Sequence, residues 1–212
     1  MSVSKVSDTV KARLPRYYRF LGELQAKGVV RISSSELARK MGITASQIRQ
    51  DFNCFGGFGQ QGYGYNIALL RGEIGRILGV NGSKKMILIG AGNLGRTIAE
   101  QINFKACGFE LIGIFDKKES LLGQLIGNKP VRSTERLDDF CREYKPDCAI
   151  LCLPREAAER LCDQLVNLGI RGIWNFSHYD ISVKYPFVAV ENVHLNDSLR
   201  ALCFKVNQEN EN

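Results

Sequence analysis

Histidine is nearly missing from this chain: 212 residues hold two, His178 and His194, far apart in the sequence. Seven cysteines are present (Cys54, Cys107, Cys141, Cys148, Cys152, Cys162 and Cys203), but no two have CxxC spacing. A zinc-ligand pattern and a dithiol redox motif are therefore both lacking. An odd number of thiols, mostly set in apolar runs, reads as buried and reduced, as in a cytoplasm. Nor is any apolar run near the length a bilayer needs, and the N-terminus MSVSKVSDTVKARL lacks the apolar stretch of a signal peptide. The expectation is a cytoplasmic protein without metal or membrane partners. With 44% hydrophobic residues there is ample material for a core, and the length suits one large domain or a small one plus a medium one.

What is present is unevenly charged. Residues 1–82 hold 12 Lys/Arg against 5 Asp/Glu, and the remainder holds 17 of each, so the whole net charge of +7 lies in the N-terminal third. That asymmetry suits a nucleic-acid-binding module joined to something neutral, although a merely solvated basic face would give the same count.

Within that third, RLPRYYRFLGELQAKG reads as a helix with Pro15 in its first turn. Its apolar stripe is Leu14, Tyr17 or Tyr18, Leu21 and Leu24, and Gly28 marks the stop. Val29, Val30 and Ile32 suit a short strand. Ser33 with Glu36 forms a capping box opening a second helix, Gly42 breaks it, and Thr44 with Gln47 opens a third, Ile43 and Ile48 being placed as a staple. Two short helices around a tight Gly-containing turn have the shape of a helix-turn-helix. On the third helix Ala45, Ile48, Phe52 and Phe55 share one face. Ser46, Gln47, Arg49, Gln50 and Asn53 fall largely on the other, where Arg, Gln and Asn can pair with base edges and Ser or Thr with phosphates. Behind it, FGGFGQQGYGYN sets glycines 56, 57, 59, 62 and 64 among aromatics. This reads as a hairpin, a wing whose glycines allow close backbone approach and whose aromatics pin it to the helices.

NIALLRGEIGRILG reads as a connecting helix, and the turn-like NGS at 81–83 places a boundary near 80–84, giving domains at 1–80 and 84–212. KKMILIGAGNLGRTIAEQI then gives a buried strand, a Gly-rich turn and a helix. The turn Gly90-Ala91-Gly92-Asn93-Leu94-Gly95 is a GxGxxG, a weak pattern alone. Here a strand precedes it, a helix follows, and the strand ELIGIFD ends in Asp116, 21 residues beyond Gly95. In that setting Gly90 allows the tight turn, Gly92 lets a pyrophosphate reach the backbone, and Gly95 lets helix and strand pack. Asp116 suits ribose hydroxyls and favours NAD, though Lys117 and Lys118 could accept a 2′-phosphate.

Alternation continues through LDDFCREY (helix), CAILCLP (strand), REAAERLCDQLVNLG (helix), IRGIWNF (strand) and FVAV (strand). The fold class is α/β, a winged helix followed by a Rossmann-like, doubly wound, mostly parallel sheet. Ligands in such sheets bind beyond the strand C-termini, which nominates Leu153, Pro154, Asn175, Phe176 and Ser177 on topology alone. No catalytic residue emerges. His178 is the one suitably placed acid or base, and a loop histidine without a predictable partner is a thin candidate. Cys148 and Cys152 point to one face and pack as small apolar residues. The closing VHLNDSLRALCFKVNQENEN sets Leu195, Leu199, Leu202 and Val206 on one helical stripe, able to cover its own sheet or a partner, before a polar tail NQENEN expected to be disordered.

The ordered set RLPRYYRFL, SSSELARKMG, IRQDF, GYGYN, ILIGAGNLG, FD at 115–116, LPREAAE, GIRGIWNF and VENVHL spans essentially the whole chain. It resembles the Rex family of bacterial redox-sensing transcriptional repressors. The resemblance implies a homodimer with exchanged C-terminal helices that binds inverted-repeat operator DNA and takes NADH or NAD⁺. High NADH releases the DNA, switching on genes of anaerobic and fermentative NADH reoxidation. Cofactor residues would be Gly90 to Gly95, Asp116, Leu153, Pro154, Asn175 and Phe176. The operator would be met by Arg49 and Gln50 with Thr44, Ser46 and Gln47, by Arg13, Arg16, Ser33 and Ser34, and by Gln60, Gln61 and Tyr63 of the wing. The cofactor is then a signal, which explains the lack of a catalytic base. Some positions depart from the pattern. Gln60 and Gln61 stand where a wing tip usually carries Lys or Arg, Gln50 stands where a second basic residue is common, and NFSHYD replaces an NFAP-type loop. Two other readings give different expectations: an NAD-dependent oxidoreductase with a basic assembly segment, and a CoA-binding domain of similar fold.

Overall fold

The computed structural model describes residues 7–54, 59–60 and 63–209. The chain divides into two compact units, residues 1–81 and 82–212.

In the first unit α1 (Asp8–Ala26) begins about one and a half turns before the expected start at Arg13, so Pro15 lies in its interior and not in its first turn. Proline removes one helical hydrogen bond, but the stripe carries through: Val10 and Leu14 continue Tyr17, Leu21 and Leu24, all buried, at steps of three and four. Of the two tyrosines Tyr17 is the core residue, and Tyr18 lies under the Arg71 guanidinium, 4.4 Å from its ring centre. β1 is only Arg31–Ile32, with Val30 exposed. Then α2 (Ser34–Met41) opens on the full Ser33–Glu36 capping box and ends at Gly42 in the left-handed region, φ 65°. α3 (Ala45–Asn53) opens on Thr44, whose hydroxyl accepts from the Gln47 amide. The returning half of the expected box does not form, because the Gln47 side chain donates to Asp51 instead. β2 (Gly59–Gln60) and β3 (Gly64–Asn66) make the wing, an antiparallel sheet in the order β1-β3-β2. Gly64 has φ 68°, and a Cβ there would sit 2.7 Å from the Ile32 carbonyl oxygen. Tyr65 anchors the wing, edge-on to Phe52 at 5.0 Å, which in turn meets Tyr17 at 4.9 Å. Phe55, the glycines at 56, 57 and 62, and Gln61 lie outside the described residues. α4 (Ile67–Leu78), capped by Asn66, packs on α1 and closes the unit.

The second unit is one seven-stranded sheet. Its strands are β4 (Lys84–Ile89), β5 (Phe109–Asp116), β6 (Leu125–Ile126), β7 (Lys129–Ser133), β8 (Cys148–Leu151), β9 (Gly172–Asn175) and β10 (Ala189–Asn192). They lie in the order β10-β9-β8-β4-β5-β7-β6, parallel except for β6. No sequence pattern announces β6 and β7. Their hairpin is short, and Pro130 sits outside the ladder that β7 forms with β5 from Val131 onward.

Alternation along the strands divides the core. Ile87, Ile89, Phe115, Ala149, Leu151 and Ile173 face α6 (Leu137–Tyr144), α7 (Arg155–Asn167) and α8 (Ile181–Lys184). Met86, Leu88, Ile114 and Ile150 face α5 (Asn93–Gln101) through Ile98. Cys148 and Cys152 pack with this second cluster, and burial pushes the Cys152 thiol up to about 12. α9 (Leu195–Glu209) continues through Asn207 and Gln208, where the composition predicts a disordered tail.

Candidate nucleotide cradle and candidate DNA interface

The strand order reverses between β4 and β8, and the Gly-rich turn leaves β4 at that point. Each glycine there answers to a different constraint. Gly90 has φ 102°, and a Cβ on it would lie 2.3 Å from the Cys152 carbonyl oxygen, so the end of β8 presses on the turn. A Cβ on Gly95 would lie 1.9 Å from the Gly90 oxygen, which fixes how closely α5 packs on β4. Among the described residues, a Cβ on Gly92 would find nothing within 4 Å. Its backbone, φ −67° and ψ −170°, is open to any residue, so nothing within this chain requires glycine there. The space is open, and it lies at the N-terminus of a nine-residue helix whose first N–H groups lack helical partners, an arrangement that suits an anion.

Asp116 closes the far side. Its Oδ2 accepts from the Ala91 amide at 2.7 Å and its Oδ1 from the Lys118 amide at 2.8 Å, so the carboxylate is held against the turn with lone pairs left for diol hydroxyls. Asn93 and Leu94 are exposed beside Gly92, and Ala91 is buried. Leu153 reaches within 3.2 Å of the same Gly90 Cβ position, and Pro154 beside it is the residue just before α7. These positions converge, and their chemistry suits a pyrophosphate with an attached ribose.

Asn175 stands differently. It is fully buried, its Nδ2 donates to the Tyr179 carbonyl and to Asn192 Oδ1, and its Oδ1 accepts from the Ser177 amide and hydroxyl. Its side chain holds the 175–179 loop in shape; Phe176, beside it, is half-buried and edge-on to Trp174 at 4.8 Å. Beyond this loop the two histidines, distant in sequence, stack at 5.9 Å with planes 10° apart. Only the parallel register of Asn175 opposite Asn192 brings them together, and no local pattern announces that.

In the first unit, Ser46, Arg49 and Gln50 are exposed on α3, with Thr44 exposed at its start. Arg49 donates to Ser34 Oγ at 3.2 Å, linking the α3 face to the start of α2. Ser33 is half-buried as the α2 cap, and Tyr63 is exposed beneath Arg31. Gln60 is described only as part of β2, and Gln61 lies outside the described residues.

Arg13, Arg16 and Gln47 have internal bonds. Arg16 donates to the Met41 carbonyl at 2.5 Å. Arg13 makes two 2.7 Å hydrogen bonds to Asp51, Tyr17 adds one at 2.6 Å, and Gln47 adds one at 2.9 Å. Asp51 is 1% exposed, so this acid locks α3 onto α1. Burial opposes its ionisation, but the bonds from Arg13, Tyr17 and Gln47 outweigh that and hold the carboxyl below its usual range. Burial and the bond to Asp51 push the Tyr17 hydroxyl up. Sequence reasoning assigns Asp51 no role. The available signal is an acid within the apolar stripe Ile48–Phe52, where only a satisfied charge is tolerated.

Comparison with known proteins agrees over the full length. The family described as "Putative DNA-binding protein N-terminus" matches residues 5–53, and "CoA binding domain" matches residues 81–179. The redox-sensing transcriptional repressor Rex of Thermoanaerobacter pseudethanolicus is 50% identical over 206 residues, covering 97% of this chain and 92% of the relative. That of Clostridium perfringens is 46% identical over 202 residues, covering 95% of each. Among solved structures, RSP in complex with β-NAD⁺ and operator DNA superimposes with a TM-score of 0.88 at 49% identity, covering 97% of this chain and 94% of that one. RSP in complex with β-NADH gives 0.87 at 45% identity, covering 99% and 97%. With half its residues shared along almost its entire length, and with the expected two-part fold, this chain belongs to the Rex family of redox-sensing transcriptional repressors.

Proposed function

We propose that this chain is a cytoplasmic, homodimeric repressor that reads the NADH/NAD⁺ ratio. It binds inverted-repeat operator DNA through α3 and the wing, and NADH releases it. The space at Gly92 carries this reading. A cradle shaped for a pyrophosphate, with a carboxylate at the ribose position, shares a chain with an exposed polar helix of DNA-reading composition. Solved relatives hold β-NAD⁺ with operator DNA, and β-NADH.

Its cofactor residues are Gly90 to Gly95 and Asp116, with Leu153, Pro154 and Phe176 at the nicotinamide side and Asn175 shaping the loop. Arg49, Gln50, Ser46 and Thr44 meet the operator directly, while Arg13 and Gln47 act through Asp51 to seat α3. The chain does no chemistry on the cofactor, which serves as a signal. For release, two arrangements of the protein must differ in their affinity for NADH, since equal affinity would shift nothing.

Dimerisation by exchange of α9 suits two complementary surfaces. Leu195, Leu199, Leu202, Phe204 and Val206 on α9 are all at least half exposed. On the sheet, a groove of about 680 Å³ near the strand starts is lined by Met86, Phe104, Phe109, Trp174 and Val190 among others.

The test is a DNA-binding titration at fixed salt with an inverted-repeat duplex, adding NADH and NAD⁺ separately. Release by NADH at concentrations where NAD⁺ has little effect supports the switch. Tight binding indifferent to both leaves a repressor with another ligand. Turnover of a substrate with no specific DNA binding would move the assignment to an oxidoreductase.

A further inference from the structure

Four cations crowd one side of the first unit, away from the Asp51 lock. Lys27 at the end of α1, Arg31 on β1, and Arg39 and Lys40 in the last turn of α2 line a pocket of about 370 Å³. Its floor includes Leu24 and Ile32, both buried. One carboxylate, Glu36, shares the pocket, but it accepts from the Ser33 amide and hydroxyl as half of the capping box. Lys27, Arg39 and Lys40 form no salt bridge among the described residues. Arg31 donates to the Tyr63 carbonyl at 3.3 Å, which ties the pocket to the base of the wing. Four positive charges thus share the pocket with one carboxylate, which the capping box holds and which Arg39 and Lys40 help to keep ionised.

We propose that Lys27, Arg31, Arg39 and Lys40 form a second phosphate-binding site, taken by phosphodiester groups of DNA running past the base of the wing. The proposal rests on the DNA-binding reading above and adds residues which that reading does not use. Phosphate is the ligand class because isolated ammonium and guanidinium groups on flexible stems match its charge without needing a fixed shape. A polyanion passing by suits all four cations being exposed better than a small enclosed ligand, which needs a few rigidly placed polar groups. The position also answers a deficit in the wing. The wing segment of the sequence carries no charge at Gln60 or Gln61, and Arg31 supplies charge at the base of the wing.

Each phosphate contact steepens the fall of log K with log salt by about 0.9. The experiment compares the full chain with the R39Q/K40Q double variant and with Lys27→Gln, across a salt series, on an inverted-repeat duplex and on a random-sequence duplex. Lys27→Gln leaves α2 untouched, so a folding defect in that helix cannot mimic the result. The expected outcome is a slope shallower by about 0.9 for each phosphate no longer neutralised, with affinity falling by the same factor on both duplexes. Unchanged slopes in both variants, while Arg49→Ala still weakens the inverted repeat, overturn the pocket and leave the repressor reading standing. Absence of salt-dependent DNA binding by the unaltered chain overturns both. Inorganic pyrophosphate is titrated in parallel. If it is bound by the unaltered chain and no longer bound by R39Q/K40Q while the DNA slopes do not move, the pocket serves a small phosphorylated molecule and the DNA assignment falls.

Discussion

The two units build their sites by opposite means. In the first, the proposed site is a set of exposed side chains, seated by a buried acid that bonds to α1 and α3. In the second, the proposed site is a space where side chains are missing, and the sheet around it is apolar core. A helix face can be altered one side chain at a time; a cradle of backbone tolerates change only where the protein's own atoms stand clear. The largest effects should therefore come from the residues that set geometry, and the smaller ones from those that touch a ligand.

Asp51→Ala should be the most damaging single change. It leaves the Arg13 guanidinium half-buried without its partner and frees Tyr17 and Gln47, and breaking a buried pair costs about 3–5 kcal/mol. Thermal unfolding of the first unit should drop sharply while NADH binding by the second is preserved. The acid also predicts a pH dependence. Its folded pKa is depressed, so its contribution is complete above the ordinary carboxylate value of about 3.9 and fades as pH falls through the folded value. Asp51→Asn should flatten that fade. A profile unchanged by the Asn variant would show that other carboxylates govern acid unfolding.

Gly95→Ala comes next. Helix propensity alone would favour alanine by about 1 kcal/mol. The new Cβ, however, would meet a backbone oxygen at 1.9 Å, and neither α5 nor the glycine turn can yield without opening the strand–helix contact. A net loss on the order of 3 kcal/mol is expected, read as a lower melting temperature of the second unit, together with loss of NADH binding. An unaffected melt would mean that the turn is looser than its geometry indicates.

These two positions also mark how far the sequence can be read. Gly95 is legible, because a GxGxxG between a strand and a helix with an acid at the right distance is a local pattern with a known physical cause. The helix stripe Leu14, Leu21 and Leu24 is legible for the same reason, while the choice of Tyr17 over Tyr18 comes from the fold. Asp51 is not, since its partners Arg13 and Tyr17 lie 38 and 34 residues away and only tertiary folding joins them. The same holds for the His178–His194 stack, which depends on the β9–β10 register, and for the β6–β7 hairpin, whose proline hides a strand. Arg13 and Gln47, expected at the operator, carry a second feature that no local pattern shows: the fold bonds both to Asp51.

Arg49→Ala tests the helix face itself. Exposed, with a single 3.2 Å bond to Ser34, Arg49 should contribute little to stability. If it meets a base edge its loss should cost about 1–3 kcal/mol of operator affinity and relax specificity at one position. An equal loss on random DNA would instead make it a phosphate contact. Operator affinity that does not move would remove it from the interface.

Gly92→Asn should have the smallest effect on the fold and bears most directly on the contrast between the units. Asparagine is among the best residues for a helix N-cap, and the backbone at Gly92 is already extended, so α5 should be undisturbed. No atom of the described residues lies within 4 Å of the Cβ it would add. If the space is kept for a pyrophosphate, the variant should melt as the parent does yet bind NADH at least tenfold more weakly, about 1.4 kcal/mol. Both halves of that result are needed. Weaker binding with a lower melting temperature would make Gly92 one more structural glycine, like Gly95. Full binding with a normal melt would mean that the cofactor approaches the helix elsewhere, and the second unit's site would have to be sought among side chains after all.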